Sequence, residues 1–299
     1  MKIRIGYGLG TNSLTNDEDR FGHFVDELER LRFDSLWVSE RISGHSPDPV
    51  VAMAFCAGRT QKLKFGMSVM VLPGRNPVLV AKQLATLDRL SSGRMLPAFG
   101  LGAPNLAEWG AFGVQRKERA PIFEEALPLL RRLWTEDCVT HHGRYYNFDD
   151  VRVLPKPTQM PPDVWLGGQA PSELRRIGRL ADGWLPSFTT PKEVAAGMKT
   201  IKEVAASCDR EIDPEHYGVL IPYSQEPLSG AYVVASRARR PDVDPAEIVP
   251  IGVAALRQKI TEFIDVGASK FVLIPVNEPD DWQLELEELG GELLSMQTR

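Results

Sequence analysis

The chain has 299 residues, 43% hydrophobic and 25% charged, a globular balance that permits one large barrel or two ordinary domains. No stretch approaches the roughly 20 consecutive apolar residues of a membrane-spanning helix, and Met1-Lys2-Ile3-Arg4-Ile5-Gly6 reads as a strand rather than a secretory leader, so a cytoplasmic protein without a membrane partner is expected. The net charge of −5 argues against nucleic acid, and the scattered Cys56, Cys138 and Cys208 suggest neither a disulfide framework nor a zinc site.

In chain order, short apolar runs alternate with helical patterns. Ile3–Gly8 is the first predicted strand, and Phe21, Phe24, Val25, Leu28 and Leu31 recur at helical spacing, which predicts a helix over Asp19–Leu31. Ser35–Val38 is the second strand and Pro49–Thr60 its helix. Lys64–Val71 and Met95–Gly100 are strands three and four, separated by a helix over Pro77–Leu90 whose first-turn proline lacks only an N–H that would have no partner. Arg119–Glu136 is a long helix. Asp137–Pro162 then interrupts the alternation with a hairpin-like His141-His142-Gly143-Arg144-Tyr145-Tyr146, and reads as an insertion.

Val164–Leu166 resumes as strand five with helix Ser172–Leu180, Gly183–Leu185 is strand six with helix Pro191–Ser207, and Tyr217–Tyr223 is strand seven. Ser224–Pro250, rich in proline and arginine, reads as a second, irregular insertion. Helix Val253–Val266, strand Lys270–Ile274 and a last helix through Trp282, Leu286, Leu289 and Leu293 complete the chain. Eight strand–helix units predict an α/β fold of the (β/α)8 TIM-barrel type, a single domain over 1–299 with insertions at about 137–162 and 224–250. The rival is a doubly wound sheet. Gly6-Tyr7-Gly8-Leu9-Gly10 imitates its dinucleotide fingerprint, but the spacing is wrong and the helix starts late.

In a barrel, the C-terminal strand ends carry the chemistry. Trp37-Val38-Ser39-Glu40-Arg41 closes strand two and offers Glu40 and Arg41. Gly100-Leu101-Gly102-Ala103-Pro104-Asn105-Leu106-Ala107-Glu108-Trp109 closes strand four, its glycines leaving room for a flat ligand beside Asn105 and Glu108. Gly167-Gly168-Gln169 closes strand five and opens a helix, so its amides form an anion site beside Arg175, Arg176 and Arg179. His45 is a loop histidine. His141 and His142 are neighbours on a strand, point to opposite faces and cannot readily share a metal, so no metal site is expected. Lys270 begins its strand, away from the chemistry, and no strand-end lysine is present for Schiff-base catalysis.

These motifs resemble the luciferase-like superfamily of flavin- and deazaflavin-dependent oxidoreductases. The resemblance rests on Ser68-Val69-Met70-Val71-Leu72-Pro73, the Asn76-Pro77 helix start, Leu87-Asp88-Arg89-Leu90-Ser91-Ser92-Gly93-Arg94, the Gly100–Trp109 loop with Gly113 beyond it, the Gly167-Gly168 turn, and Asp182-Gly183-Trp184. It covers nearly the whole chain except Ser224–Pro250. The family usually has a histidine by the flavin where this chain has Arg41. A guanidinium cannot act as a base near neutral pH, but it can hold an anion.

The resemblance implies an oxidoreductase, with Glu40, Arg41 and Glu108 facing the cofactor or substrate. It implies that Ser68, Val69, Met70, Gly100, Gly102, Asn105, Gly167, Gly168 and Gln169 bind the cofactor, whose phosphate sits at Gly167–Gln169. The favoured cofactor is coenzyme F420, because the arginines suit a strongly anionic group, with FMN and a monooxygenase reaction as the alternative. A non-catalytic flavin-binding protein and a flavin-free phosphate-metabolite barrel are the rivals from other classes. A small-molecule substrate and a homodimer are implied, as is a cis peptide bond at Ser68–Val69.

Overall fold

The computed structural model describes residues 1–10, 18–103 and 105–298. Pro104, in the loop after strand four, lies outside them. The first half contains β1 (Arg4–Leu9), α1 (Glu18–Leu31), β2 (Ser35–Val38), α2 (Pro49–Arg59), β3 (Lys64–Met67), β4 (Met70–Val71), α3 (Pro77–Leu90), β5 (Met95–Leu96), β6 (Ala98–Gly100), α4 (Leu106–Ala111) and α5 (Arg119–Thr135). A hairpin of β7 (Val139–His142) and β8 (Asn147–Val151) follows. The second half contains β9 (Trp165–Leu166), α6 (Pro171–Leu180), β10 (Gly183–Trp184), α7 (Pro191–Ala206), β11 (Gly218–Tyr223), α8 (Gly230–Arg239), α9 (Pro245–Ile248), α10 (Val253–Asp265), β12 (Lys270–Pro275) and α11 (Trp282–Leu293).

The strand pairings close into a ring. β11, β12, β1, β2, β3 and β5 pair in that order, and β4, β6, β9 and β10 pair in that order, all in parallel. β3 and β4 are one stave interrupted at Ser68–Val69, whose peptide bond is cis. β5 and β6 are one stave interrupted at Pro97, which has no N–H to give a neighbour. The parallel bridges Trp184–Tyr217 and Ser187–Leu220 join the two sheets. The result is the expected eight-staved (β/α)8 barrel.

Local chemistry explains many boundaries. Asn76 Oδ1 accepts the Val78 amide at 2.9 Å and Pro77 opens α3, while Asp48 does the same for α2 before Pro49. Helix α3 then buries Val80, Ala81, Leu84, Ala85 and Leu87 at helical spacing. Lys270 plugs the barrel at the N-terminal strand ends. Its Nζ lies 3.2 Å from Asp34 Oδ2 and 5.6 and 5.9 Å from the Trp165 and Trp37 rings. The Gly6–Gly10 decoy serves close packing. A Cβ at Gly6 would come 2.5 Å from Ser35 Oγ, and one at Gly8 would come 2.8 Å from Ile274.

The structure corrects the reading of the second insertion as irregular. It contains α8, with Ser229 as its cap, and α9, with Asp244 as its cap and Pro245 in its first turn. Helix α8 buries only Ser236, so it has no apolar stripe to announce it. The first insertion is the expected hairpin. Its turn is held by Glu125 of α5, which accepts the amides of Arg144, Tyr145 and Tyr146 at 3.0–3.2 Å. None of the described helices is long and apolar enough to cross a membrane.

Candidate active site

The C-terminal strand ends surround a cavity of about 960 Å³, at the upper end of the roughly 300–1,000 Å³ usual for small-molecule sites. Its walls bring together Glu40 and Arg41 after β2, Ser68 and Val69 at the stave break, Gly100 and Gly102 after β6, and Gly167, Gly168 and Gln169 after β9.

Glu40 lines the cavity with both oxygens engaged. Oε2 accepts the Val71 amide at 2.6 Å, and Arg75 pairs with Oε1 while its Nε donates to the Val71 carbonyl at 2.9 Å. Burial pushes the Glu40 carboxyl above its ordinary value, although the Val71 amide and Arg75 pull the other way. Ser39 Oγ donates to the Ser68 carbonyl at 3.2 Å and ties β2 to the stave break.

Arg41 Nε lies 3.2 Å from Glu108 Oε1, which also accepts from Ser43 Oγ at 3.2 Å. Glu108 is only 5% exposed. It is absent from the cavity wall and reaches the cavity through Arg41.

Glycines let the opposite wall pack closely. A Cβ on Gly100 would come 2.5 Å from Val69 Cγ2, and Gly102 has φ +86°, where a side chain is strained.

Three expectations need correction. Met70 does not line the cavity: strand alternation turns it away from Val69 and Val71 into the core, where it is fully buried. Asn105 lies off the cavity too, because its Oδ1 caps α4 by accepting the Ala107 amide at 2.9 Å. The Gly167–Gln169 turn is not a set of free amides. Glu173, in the first turn of α6, reaches back so that its Oε2 accepts the Gln169 and Ala170 amides at 2.9 Å each. Gln169 Nε2 donates to the Ser187 carbonyl at 2.5 Å.

The arginines of α6 divide. Arg176 lines the cavity, with its Nε donating to Glu124 at 3.0 Å. Arg179 donates to the same carboxylate at 3.1 Å, and Arg175 is exposed. His45 is exposed and off the cavity wall, His141 Nε2 lies 3.1 Å from Glu125, and His142 Nε2 lies 2.9 Å from Asp149.

Sequence reasoning missed Phe188, Arg239 and Arg240. Arg239 stacks on the Phe188 ring at 3.8 Å. Arg240 donates to the Phe188 carbonyl at 2.5 Å and pairs with Glu193 at 2.5 Å and Asp242 at 2.9 Å. The arginine richness of the second insertion was the available signal, but nothing local showed that it folds over the barrel mouth.

A family model described as luciferase-like monooxygenase matches residues 2–227. Among curated proteins, an F420-dependent glucose-6-phosphate dehydrogenase of Intrasporangium calvum is 35% identical over 179 residues, 56% of this chain and 53% of that protein. The chain spans between half and two thirds of the length of such relatives. Among solved structures, the coenzyme F420 dependent tetrahydromethanopterin reductase from Methanopyrus kandleri superposes with a TM-score of 0.79 at 18% identity over 100% of both chains. An F420-dependent secondary alcohol dehydrogenase in complex with an F420-acetone adduct gives 0.80 at 20% identity, again over 100% of both chains. At those identities the superpositions speak for the fold, whereas the family model covers most of the chain and every barrel strand up to β11. With its closed barrel and glycine-lined cavity, the chain belongs to the luciferase-like monooxygenase family.

Proposed function

We propose that the protein is a coenzyme F420-dependent oxidoreductase that moves a hydride between the deazaflavin and a small organic substrate. One observation carries the reading: a cavity of about 960 Å³ at the strand ends, lined by Gly100, Gly102, Gly167 and Gly168 and by four arginines, Arg41, Arg176, Arg239 and Arg240. This suits a cofactor with a flat ring and an anionic tail. The F420-dependent relatives support the same choice.

Ser68, Val69, Gly100 and Gly102 would hold the ring, and the Gly167-Gly168 part of the turn, with Arg176 beside it, would meet the phosphate end, the Gln169 amide being taken by Glu173. Bound there, the cofactor supplies the hydride chemistry. The chain supplies binding, orientation and charge. Arg41 stays protonated and holds an anionic part of the ring or substrate. Glu108 positions Arg41 through the 3.2 Å ion pair, and Glu40 braces β4 while facing the cavity. The protein works in the cytoplasm as a single barrel domain and a homodimer. Val51 and Phe55 on α2 and Leu79 on α3 are 67%, 42% and 62% exposed on neighbouring helices, which supports that assembly.

The test is a fluorescence-quenching titration of the purified protein with F420 and with FMN. Saturable binding of F420, tighter than FMN, is the expected result. Preference for FMN moves the activity to flavin-dependent monooxygenation, and binding of neither removes the oxidoreductase reading.

A further inference from the structure

The charges lining the cavity do not balance locally. Its acidic residues are all engaged: Glu40 by Arg75 and the Val71 amide, Glu173 by the Gln169 and Ala170 amides, and Glu193 and Asp242 by Arg240. Arg41 has Glu108 and Arg176 has Glu124. Arg239 alone among the lining cations has no carboxylate partner among the described residues. It lies flat on Phe188 at 3.8 Å, a contact that fixes the guanidinium plane without neutralising it. Arg239 is exposed at the cavity rim, and Arg41 and Arg240 add positive charge beside it, so the place suits an anion rather than a cation.

Further observations place this charge. Tyr232, Ser236 and Arg239 fall at positions i, i+4 and i+7 of α8 and share one face. Ser236 on that face is only 5% exposed, lies behind the cavity wall, and its Oγ has no hydrogen-bond partner among the described residues. A buried hydroxyl left this way is a donor awaiting an acceptor. Arg41 follows β2, which the pairing order puts three staves from β9 and its Gly167–Gln169 turn. The family model's match ends at residue 227, before α8 begins.

We propose that Arg239 and Arg41 form an anion subsite that recognises a phosphate or carboxylate group on the substrate, presented by α8 over the cavity mouth. Arg240 holds this element down through Phe188 and Glu193. The proposal rests on the reading of the cavity as a cofactor and substrate site, and it makes the substrate an anionic metabolite rather than a neutral alcohol or ketone.

The test uses calorimetric titration of the full chain with inorganic phosphate, with glycerol phosphate and with succinate, each with and without saturating F420. Expected are saturable binding of at least one anion that persists with F420 bound, and a loss of about tenfold or more in Arg239→Gln. Arg175→Gln, which changes an exposed arginine off the cavity, should bind as the wild type, and circular dichroism checks that each variant folds. Preference for the phosphates assigns a phosphate ester, and preference for succinate a carboxylate. Displacement of the anion by F420 would show that the subsite belongs to the cofactor tail and would overturn the proposal, as would anion binding unchanged in Arg239→Gln or absent from the wild type. If F420 itself does not bind, the cofactor reading fails, while the cofactor-free titrations still decide the subsite.

Discussion

Arg41 Nε sits 3.2 Å from Glu108 Oε1, so the end of β2 is tied to helix α4 at the mouth of the barrel. The carboxylate is buried and the guanidinium half-exposed, which leaves the arginine free to meet a ligand on its other edge. In this chain a fixed positive charge therefore stands at the mouth beside the end of β2.

Arg41→Ala should therefore weaken F420 binding or slow turnover about tenfold or more, roughly 1.4 kcal/mol. Glu108→Gln, which keeps the shape but not the charge, should produce part of that loss and Arg41→Lys should not restore it. Titration and stopped-flow reduction would measure this. A silent Arg41→Ala would remove Arg41 from the mechanism.

Gly168 has φ +97°, and a Cβ there would come 2.5 Å from Glu173 Oε2. Gly168→Val should cost about 1–3 kcal/mol of stability through backbone strain. It should also dislodge Glu173 from the Gln169 and Ala170 amides and weaken cofactor binding. Denaturant unfolding and fluorescence titration read the two effects separately, and unchanged affinity would exclude this turn from the cofactor site.

The Asp34–Lys270 pair governs acid stability. Burial works to raise the Asp34 carboxyl, but Lys270 and then Lys64 outweigh it and hold the group below its ordinary value. Lys270, deeper still, is depressed by burial more than Asp34 lifts it. For a depressed carboxylate the stabilisation is complete above the unfolded value of about 3.9 and is lost as pH falls through the lower folded value. Wild-type melting temperature should drop over that acid range, and Asp34→Asn should show a smaller drop, the remainder coming from other depressed carboxylates such as Glu29 and Glu193. Asp34→Asn should also cost about 3 kcal/mol or more near neutral pH by leaving Lys270 buried and unpaired, with recovery in the Asp34→Asn/Lys270→Met double variant. A single variant as stable as wild type would contradict this.

Tyr7 and Tyr223 share a hydrogen bond of 2.6 Å, and Tyr223 donates onward to Glu285 Oε1 at 2.5 Å, linking β1, β11 and α11. Tyr223→Phe should cost about 1–3 kcal/mol, because buried partners lose a hydrogen bond. Burial holds both phenols well above the ordinary tyrosine value. In ultraviolet pH titration they should stay un-ionised beyond about pH 10, where free tyrosine ionises. Two extra tyrosines titrating normally would show that the cluster is open to water.

Much of the frame is legible locally. Pro77–Leu90 is read with the bounds the structure has, because the Asn76 cap, the first-turn proline and the apolar stripe all lie within one short stretch. The stave break at Ser68–Val69 and the strand-end glycines are marked by the family motifs. Helices α4 and α8 go unread, since one is six residues long and the other buries only Ser236.

By itself, the sequence determined the alternation of strands and helices, the strand ends that face the cavity, and the place of Arg41 at the end of the second strand. These follow from periodicity, capping and motif, which act over a few residues. Tertiary structure alone decided that Glu173 occupies the Gln169 and Ala170 amides, that Glu108 holds Arg41, and that Arg239 comes to rest on Phe188. The ring itself closes through the Trp184–Tyr217 and Ser187–Leu220 bridges, at a strand only two residues long. Each of these depends on which side chain the closed barrel brings within about 3–4 Å of which partner, and spacing along the chain carries no record of that.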